Sequence, residues 1–179
     1  SDVTRLVLRN GLTVLIEECR WQPVVSIQAH IRAGSFHEPA QSVGVARLLA
    51  SMIEQGTAAK SSGSFRQNVK ALGGIPSRSV GYEDTRFEIV APSSQWKQAL
   101  DLQADALLND ALNPRDLPAE ADRVIAEAGI SLEDPREFAR EKLLELAFNQ
   151  PRMGKYSELA GRNLKDYKRE SLVDFYKAM

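Results

Sequence analysis

In the opening stretch of the chain apolar and polar side chains alternate, which is the period of a strand with one covered face. Val3 to Leu8 and Leu12 to Ile16 read as two strands. Asn10-Gly11 between them predicts a hairpin turn, because both residues tolerate positive φ. Pro23 to Ser35 reads as a third strand, with Val25, Ile27, Ala29 and Ile31 on one face and Val24, Ser26, Gln28 and His30 on the more polar other. The period then changes to that of a helix. One helix is expected from about Val43 to Glu54, with Ser42 as N-cap and Gly56 as the stop. A second is capped by Ser64 and ends at Gly73-Gly74. Strand periodicity returns where Phe87 and Ile89 alternate with Arg86 and Glu88, and this strand is expected to pair with Ile75 to Val80.

Beyond Pro92 the pattern is helical. Trp96, Leu100, Ala104 and Leu107 form an amphipathic stripe within Ser94 to Leu108. Pro118 suits the first turn of a helix carrying Val124, Ile125 and Ala128. Asp134-Pro135 opens another, with Phe138, Leu143 and Leu146 on its expected buried face. Asn149 to Lys168 is more polar, and a last short helix covers Ser171 to Met179. The order is β-β-β-α-α-β-β followed by helices, with no internal repeat. It predicts one α+β domain over residues 1–179, an antiparallel sheet with helices packed on one face.

Composition narrows the function classes. The chain has 179 residues, 43% hydrophobic and 26% charged, which is enough to bury a core. With 23 basic and 24 acidic side chains the net charge is −1, so the totals point to neither a nucleic-acid nor an anionic-membrane partner. No segment approaches the roughly 20 apolar residues that cross a bilayer. A single cysteine, Cys19, excludes an internal disulfide and a cysteine metal cluster. The two histidines are His30, on a polar strand face, and His37, in a turn; both read as surface residues. Carboxylate pairs such as Glu137 and Glu141 read as solvated helix faces.

A lone Arg47 inside the apolar helix Gly44-Val45-Ala46-Arg47-Leu48-Leu49-Ala50-Ser51-Met52 is the feature that needs an explanation. The series of short motifs around it supplies one. Leu8-Arg9-Asn10-Gly11-Leu12 is followed by Pro23, by Ala33-Gly34-Ser35-Phe36-His37-Glu38-Pro39, by the helix just quoted, and by Gly56-Thr57. Then come Leu72-Gly73-Gly74, Asp84-Thr85-Arg86-Phe87, Glu120, Glu127 and Asp134-Pro135. In this order and spacing, over essentially its whole length, the chain resembles the N-terminal domain of the pitrilysin/insulinase metallopeptidases, which include the mitochondrial processing peptidases.

The resemblance implies an inverted zinc motif, His-x-x-Glu-His, on the helix after the Gly-Ser turn. There the two histidines hold zinc, the Glu acts as general base through a metal-bound water, and a Glu from a later helix is the third ligand. Carried onto this chain, the motif falls on Arg47, Ala50 and Ser51, all three substituted. The third-ligand position falls on Glu127, 76 residues after Ser51. Arg has no lone pair to give a metal, Ala has no proton acceptor, and Ser is a poor ligand beside imidazole. The resemblance therefore implies a domain with no catalytic residues and no zinc cofactor. With Arg on one helix and Glu persisting on the other, Arg47 is expected to reach Glu127 as an ion pair with a hydrogen bond from Ser51, the alternative being Arg47 in solvent and Glu127 capping or decorating a helix. Family members also place Asn-Ala-x-Thr on an edge strand that pairs with substrate; here those positions are Ser77, Arg78, Ser79 and Val80.

The expected function is that of a non-catalytic zinc-peptidase homologue, the inactive partner that shapes a peptide-binding chamber with a zinc-bearing subunit or second domain. The alternatives are an active zinc endopeptidase with unusual ligands and a purely structural scaffold subunit. The resemblance also implies further strands beyond Met179 that complete the sheet, so the chain reads as a truncated N-terminal domain prone to self-association.

Overall fold

The structure, a computed structural model, describes residues 3–39, 41–56, 63–109, 112–148, 156–165 and 167–178. Strands β1 (Val3–Val7) and β2 (Thr13–Glu17) form the expected antiparallel hairpin. At its turn Gly11 takes φ +87° and the Asn10 side chain accepts a hydrogen bond from the Leu12 amide. Strands β3 (Val24–Ile31), β4 (Ile75–Val80) and β5 (Thr85–Pro92) form a second antiparallel sheet in the order β3-β5-β4. Among the described residues every pairing is antiparallel, as the sequence predicts, but the strands divide into two sheets. On β3 the alternation holds: Val25, Ile27, Ala29 and Ile31 are half-buried, and Val24, Ser26, Gln28 and His30 are exposed.

β5 is the central strand. Phe87, Ile89 and Ala91 are buried on the face that meets the helices. On the other face the Glu88 carboxylate accepts hydrogen bonds from Ser26, Gln28 and Ser77. The bonds from Ser26 and Gln28 hold the Glu88 carboxyl below the ordinary carboxylate range.

The described residues form seven α-helices, two between β3 and β4 and five after β5: α1 (Val45–Ile53), α2 (Ser64–Ala71), α3 (Trp96–Leu108), α4 (Leu117–Glu133), α5 (Pro135–Phe148), α6 (Tyr156–Asn163) and α7 (Arg169–Ala178). α1 is the core helix. Leu48, Leu49, Met52 and Ile53 are each at most 1% exposed, and each such side chain contributes about 2–3 kcal/mol of burial.

Several expectations are corrected. Glycines, not Ser42 and Ser64, occupy the N-caps: Gly44 (φ +101°) opens α1 and Gly63 (φ +74°) opens α2. Left-handed backbone at these two corners favours a residue without Cβ. At Gly44 a Cβ would also stand 2.9 Å from the Leu164 side chain. On α3 the buried positions are Ala99, Gln103 and Ala106, whereas Trp96 and Leu100 of the expected stripe are exposed. Small alanines let α3 approach β5 closely, and the buried Gln103 amide nitrogen donates to the Phe87 carbonyl, which offsets part of its desolvation; the amide oxygen is buried without a partner. Phe138, Leu143 and Leu146 of α5 are exposed, at 46%, 65% and 84%, because no described element lies over them. The polar stretch from Asn149 holds the short helix α6, which the apolar pattern understates because, among the side chains described there, Ala160 and, just beyond the helix, Leu164 are the buried ones.

One turn sets the position of α1. The amides of Gly34, Ser35 and Phe36 donate to the carbonyls of Glu83, Gly81 and Tyr82 in the β4–β5 connection. Phe36 stacks on Tyr82 with ring centroids 5.3 Å apart. A Cβ on Gly34 would lie 2.4 Å from the Tyr82 carbonyl oxygen. Gly34→Ala is therefore expected to destabilise the fold by about 2–3 kcal/mol, read as a lower urea midpoint at unchanged m. Four residues beyond Gly34, the buried Glu38 carboxylate accepts the amides of Gly44 (3.0 Å) and Ala46 (2.9 Å). A carboxylate is favoured at a helix N-terminus, where amides lack partners. The Gly-Ser turn thus holds α1 at its first turn.

Candidate functional site

The face that α1 turns toward α4 carries the positions of interest. α4 packs on α1 and also on α5 and α6. Its Glu120, Arg123 and Glu127 follow one another at spacings of three and four, so they share one helix face. The Arg123 guanidinium is the centre of the cluster. Its Nε and one terminal nitrogen donate to Glu120 Oε2 at 3.0 and 2.8 Å. That terminal nitrogen also donates to Ser51 Oγ, and the other donates to Glu127. Ser51 is fully buried and donates its hydroxyl to Glu120. Gln55, just beyond the end of α1, donates to the second Glu120 oxygen at 2.6 Å.

Arg123 is held charged. Burial works against its charge, but the hydrogen bond and charge of Glu120, then the charges of Glu127 and Glu54, outweigh it and raise its pKa.

The sequence-predicted residues fall as follows. Arg47 is half-buried on α1 and lines a cleft of about 890 Å³ together with Glu120, Arg123 and Glu127. Ala50 is packed in the core at 1% exposure. Ser51 is brought to α4 as expected, but its carboxylate is Glu120. Glu127 lines the cleft with its side chain 48% exposed, and the guanidinium that meets it is Arg123 on its own helix, in place of the expected Arg47. An i,i+4 pair on one helix is a shorter reach than a pair between helices, and it leaves the guanidinium free to turn toward α1. Ser77, Arg78, Ser79 and Val80 lie on β4, the strand at the edge of the three-stranded sheet, and border the same cleft.

A second cluster underlies that edge. Glu54, at the C-terminal end of α1, is 2% exposed, and one of its oxygens accepts from both Arg66 on α2 and Arg78 on β4. Its other oxygen is buried without a hydrogen-bond partner. This carboxylate ties the end of the core helix to α2 and to the edge strand.

Sequence reasoning gave Glu120 no role and missed Arg123, Gln55 and Glu54. The recoverable signal was the helical spacing of Glu120, Arg123 and Glu127. Glu54 follows two apolar positions of α1 and is indistinguishable by pattern from a solvated residue beyond a helix end.

The donor set does not suit zinc. At the three motif positions stand a guanidinium, a methyl and a hydroxyl, and the carboxylate of Glu127 is engaged by a cation. Among the described residues no three His, Cys, Asp or Glu side chains are grouped so as to hold a metal ion. Among them, too, no helix is long and apolar enough to cross a membrane.

Comparison with known proteins agrees with the motif order. The sequence profile described as Insulinase (Peptidase family M16) matches residues 13–157. An uncharacterized zinc protease of Rickettsia felis is 24% identical over 94% of this chain and 41% of its own length. A probable mitochondrial-processing peptidase subunit beta of Arabidopsis thaliana is 26% identical over 95% of this chain and 32% of its own. The chain thus spans well under half the length of these relatives. Among solved structures, a peptidase M16 inactive domain from Pseudomonas fluorescens superposes with a TM-score of 0.83 at 19% identity. It covers 98% of this chain and 43% of that one. Pitrilysin superposes equally well, at 0.83 and 21% identity, covering 98% and 19%. These two likenesses show the fold, in which this chain corresponds to one part of a larger molecule. The match over residues 13–157, in a chain whose described elements reproduce that fold, makes it a member of the insulinase family of peptidases.

Proposed function

We propose that this domain is a zinc-independent, non-catalytic member of its family. In this reading it binds extended peptide at the β4 edge and completes a chamber with a zinc-bearing domain or subunit. The observation that carries the reading is the Arg123 guanidinium, bonded at once to Ser51, Glu120 and Glu127. A fixed protein cation between α1 and α4 neutralises carboxylates that a metal would otherwise balance, and it needs no cofactor. Without imidazole at positions 47 and 51 and without a carboxylate at 50, the chain lacks both the ligands and the base for hydrolysis.

Support for the partner is of two kinds. The relatives and solved structures matched are more than twice as long as the matched part. Apolar side chains of α5 and of the β1–β2 hairpin, namely Phe138, Leu143, Leu146, Leu15 and Ile16, are exposed. We assign those faces to the second domain.

The test is the metal content of the purified chain after zinc loading and dialysis, read beside hydrolysis of a quenched fluorescent peptide. No bound zinc and no hydrolysis are expected. Stoichiometric zinc that a chelator removes together with activity overturns the proposal.

A further inference from the structure

The cleft between α1, α4 and β4 has an uneven charge. Arg47, Arg66, Arg78 and Arg123 line it against the two carboxylates of Glu120 and Glu127, in a chain whose net charge is −1. Arg123 is taken up by those two carboxylates and Ser51. At Arg123 two carboxylates meet one cation, so the positive excess is local to the strand edge. Arg66 and Arg78 share a single oxygen of Glu54, so two cations meet one anion. The Glu54 side chain is 2% exposed and lies beneath them, whereas that of Arg66 is 45% exposed. One positive charge therefore remains uncompensated at this pair, on the side from which solvent or a ligand arrives.

Its register makes this charge readable by a strand. Arg78 lies within the β4 segment that borders the cleft, and among the described residues its backbone pairs with Phe87 of β5 on one side only. A peptide that adds along the other side of β4 places one residue directly opposite Arg78. Side chains of such cross-strand pairs share a face, with Cβ atoms about 5 Å apart. That residue therefore reaches the guanidinium of Arg78 and, beside it, that of Arg66. A carboxylate there supplies the missing anion and accepts charge-assisted hydrogen bonds from fixed forks. An ammonium there meets two cations.

Resting on the reading of the β4 edge as a peptide-binding strand, we infer that the cleft selects extended peptides carrying Asp or Glu at the position opposite Arg78, with Arg66 as the recognition residue. The basis is the shared Glu54 oxygen together with the exposed Arg66 at a sheet edge.

The experiment measures fluorescence anisotropy of the 179-residue chain with three capped nonapeptides of alternating Val and Thr, identical except for a central Glu, Gln or Lys. The Glu peptide is expected to bind about tenfold more tightly than the Gln peptide, with Lys weakest. The preference is expected to shrink at high salt. In an Arg66→Gln chain that keeps its far-UV spectrum the Glu-to-Gln ratio is expected to fall to about one, whereas Arg140→Gln, on exposed α5, leaves the ratio unchanged. Measurable and equal binding of all three peptides overturns the acidic selectivity and leaves peptide binding standing. A ratio unmoved by Arg66→Gln overturns the assignment of Arg66. No binding of any peptide removes the underlying reading, and this inference with it.

Discussion

A chain carrying Arg47→His and Ser51→His is expected to bind zinc only weakly, and adding Arg123→Leu is expected to tighten that binding by about a hundredfold. The two histidines restore the imidazole pair of the family motif at i and i+4. They do not free the third carboxylate. Glu127 is held by Arg123, and the same guanidinium bonds Ser51, where one histidine would stand. A cation so near a divalent ion costs roughly 3 kcal/mol at the effective dielectric of a half-buried site, which is the hundredfold. Ala50 is left unchanged because it is 1% exposed in the core, where a new carboxylate would go unpaired, and because a general base is not needed for binding. Calorimetric titration of the two chains with zinc gives the comparison. Equal affinity with and without Arg123 would show that the guanidinium does not occupy the place proposed for it.

Glu54→Gln is expected to be the most destabilising single change in the described residues around the cleft, by about 2–4 kcal/mol in urea unfolding. The neutral amide leaves Arg78, whose side chain is 14% exposed, without its counter-charge. Breaking a buried pair from one side costs far more than replacing both partners. The Glu54→Leu, Arg78→Met double variant is accordingly expected to recover most of the loss. It also removes the carboxylate oxygen that is buried without a partner. A double variant no more stable than Glu54→Gln would mean that the cost lies in packing and not in charge.

How much of this was legible in the sequence follows the length scale of each interaction. The hairpin at Asn10-Gly11, the alternation on β3 and the β4–β5 pairing are local or periodic, and they appear in the structure almost residue for residue. The motif order identified the helix that matters and the pairing of α1 with α4. What the pattern could not give was which partner each polar residue finds. Glu38 caps α1 from six residues upstream, a role normally read from the residue just before a helix. Arg123 displaced Arg47 at Glu127 because a cation on the same helix needs no long-range geometry to arrive there. Phe138, Leu143 and Leu146 have the periodicity of a covered face, and periodicity says that a face is apolar without saying what covers it.

The division of the strands into two sheets gives the molecule two levels of cooperativity. Among the described residues β1 and β2 pair only with each other, and their apolar side chains Val3, Leu6, Leu15 and Ile16 are about half exposed or more. A lone two-stranded ribbon is marginal in water. Amide protons of Val3–Glu17 are therefore expected to exchange with deuterium through local opening, without disturbing the rest. Those of β5, hydrogen-bonded on both sides over a face that includes Ile89 at 0% exposure, are expected to exchange only when the whole core opens. Deuterium uptake thus separates a hairpin that comes and goes from a body whose lifetime is that of α1 and β5.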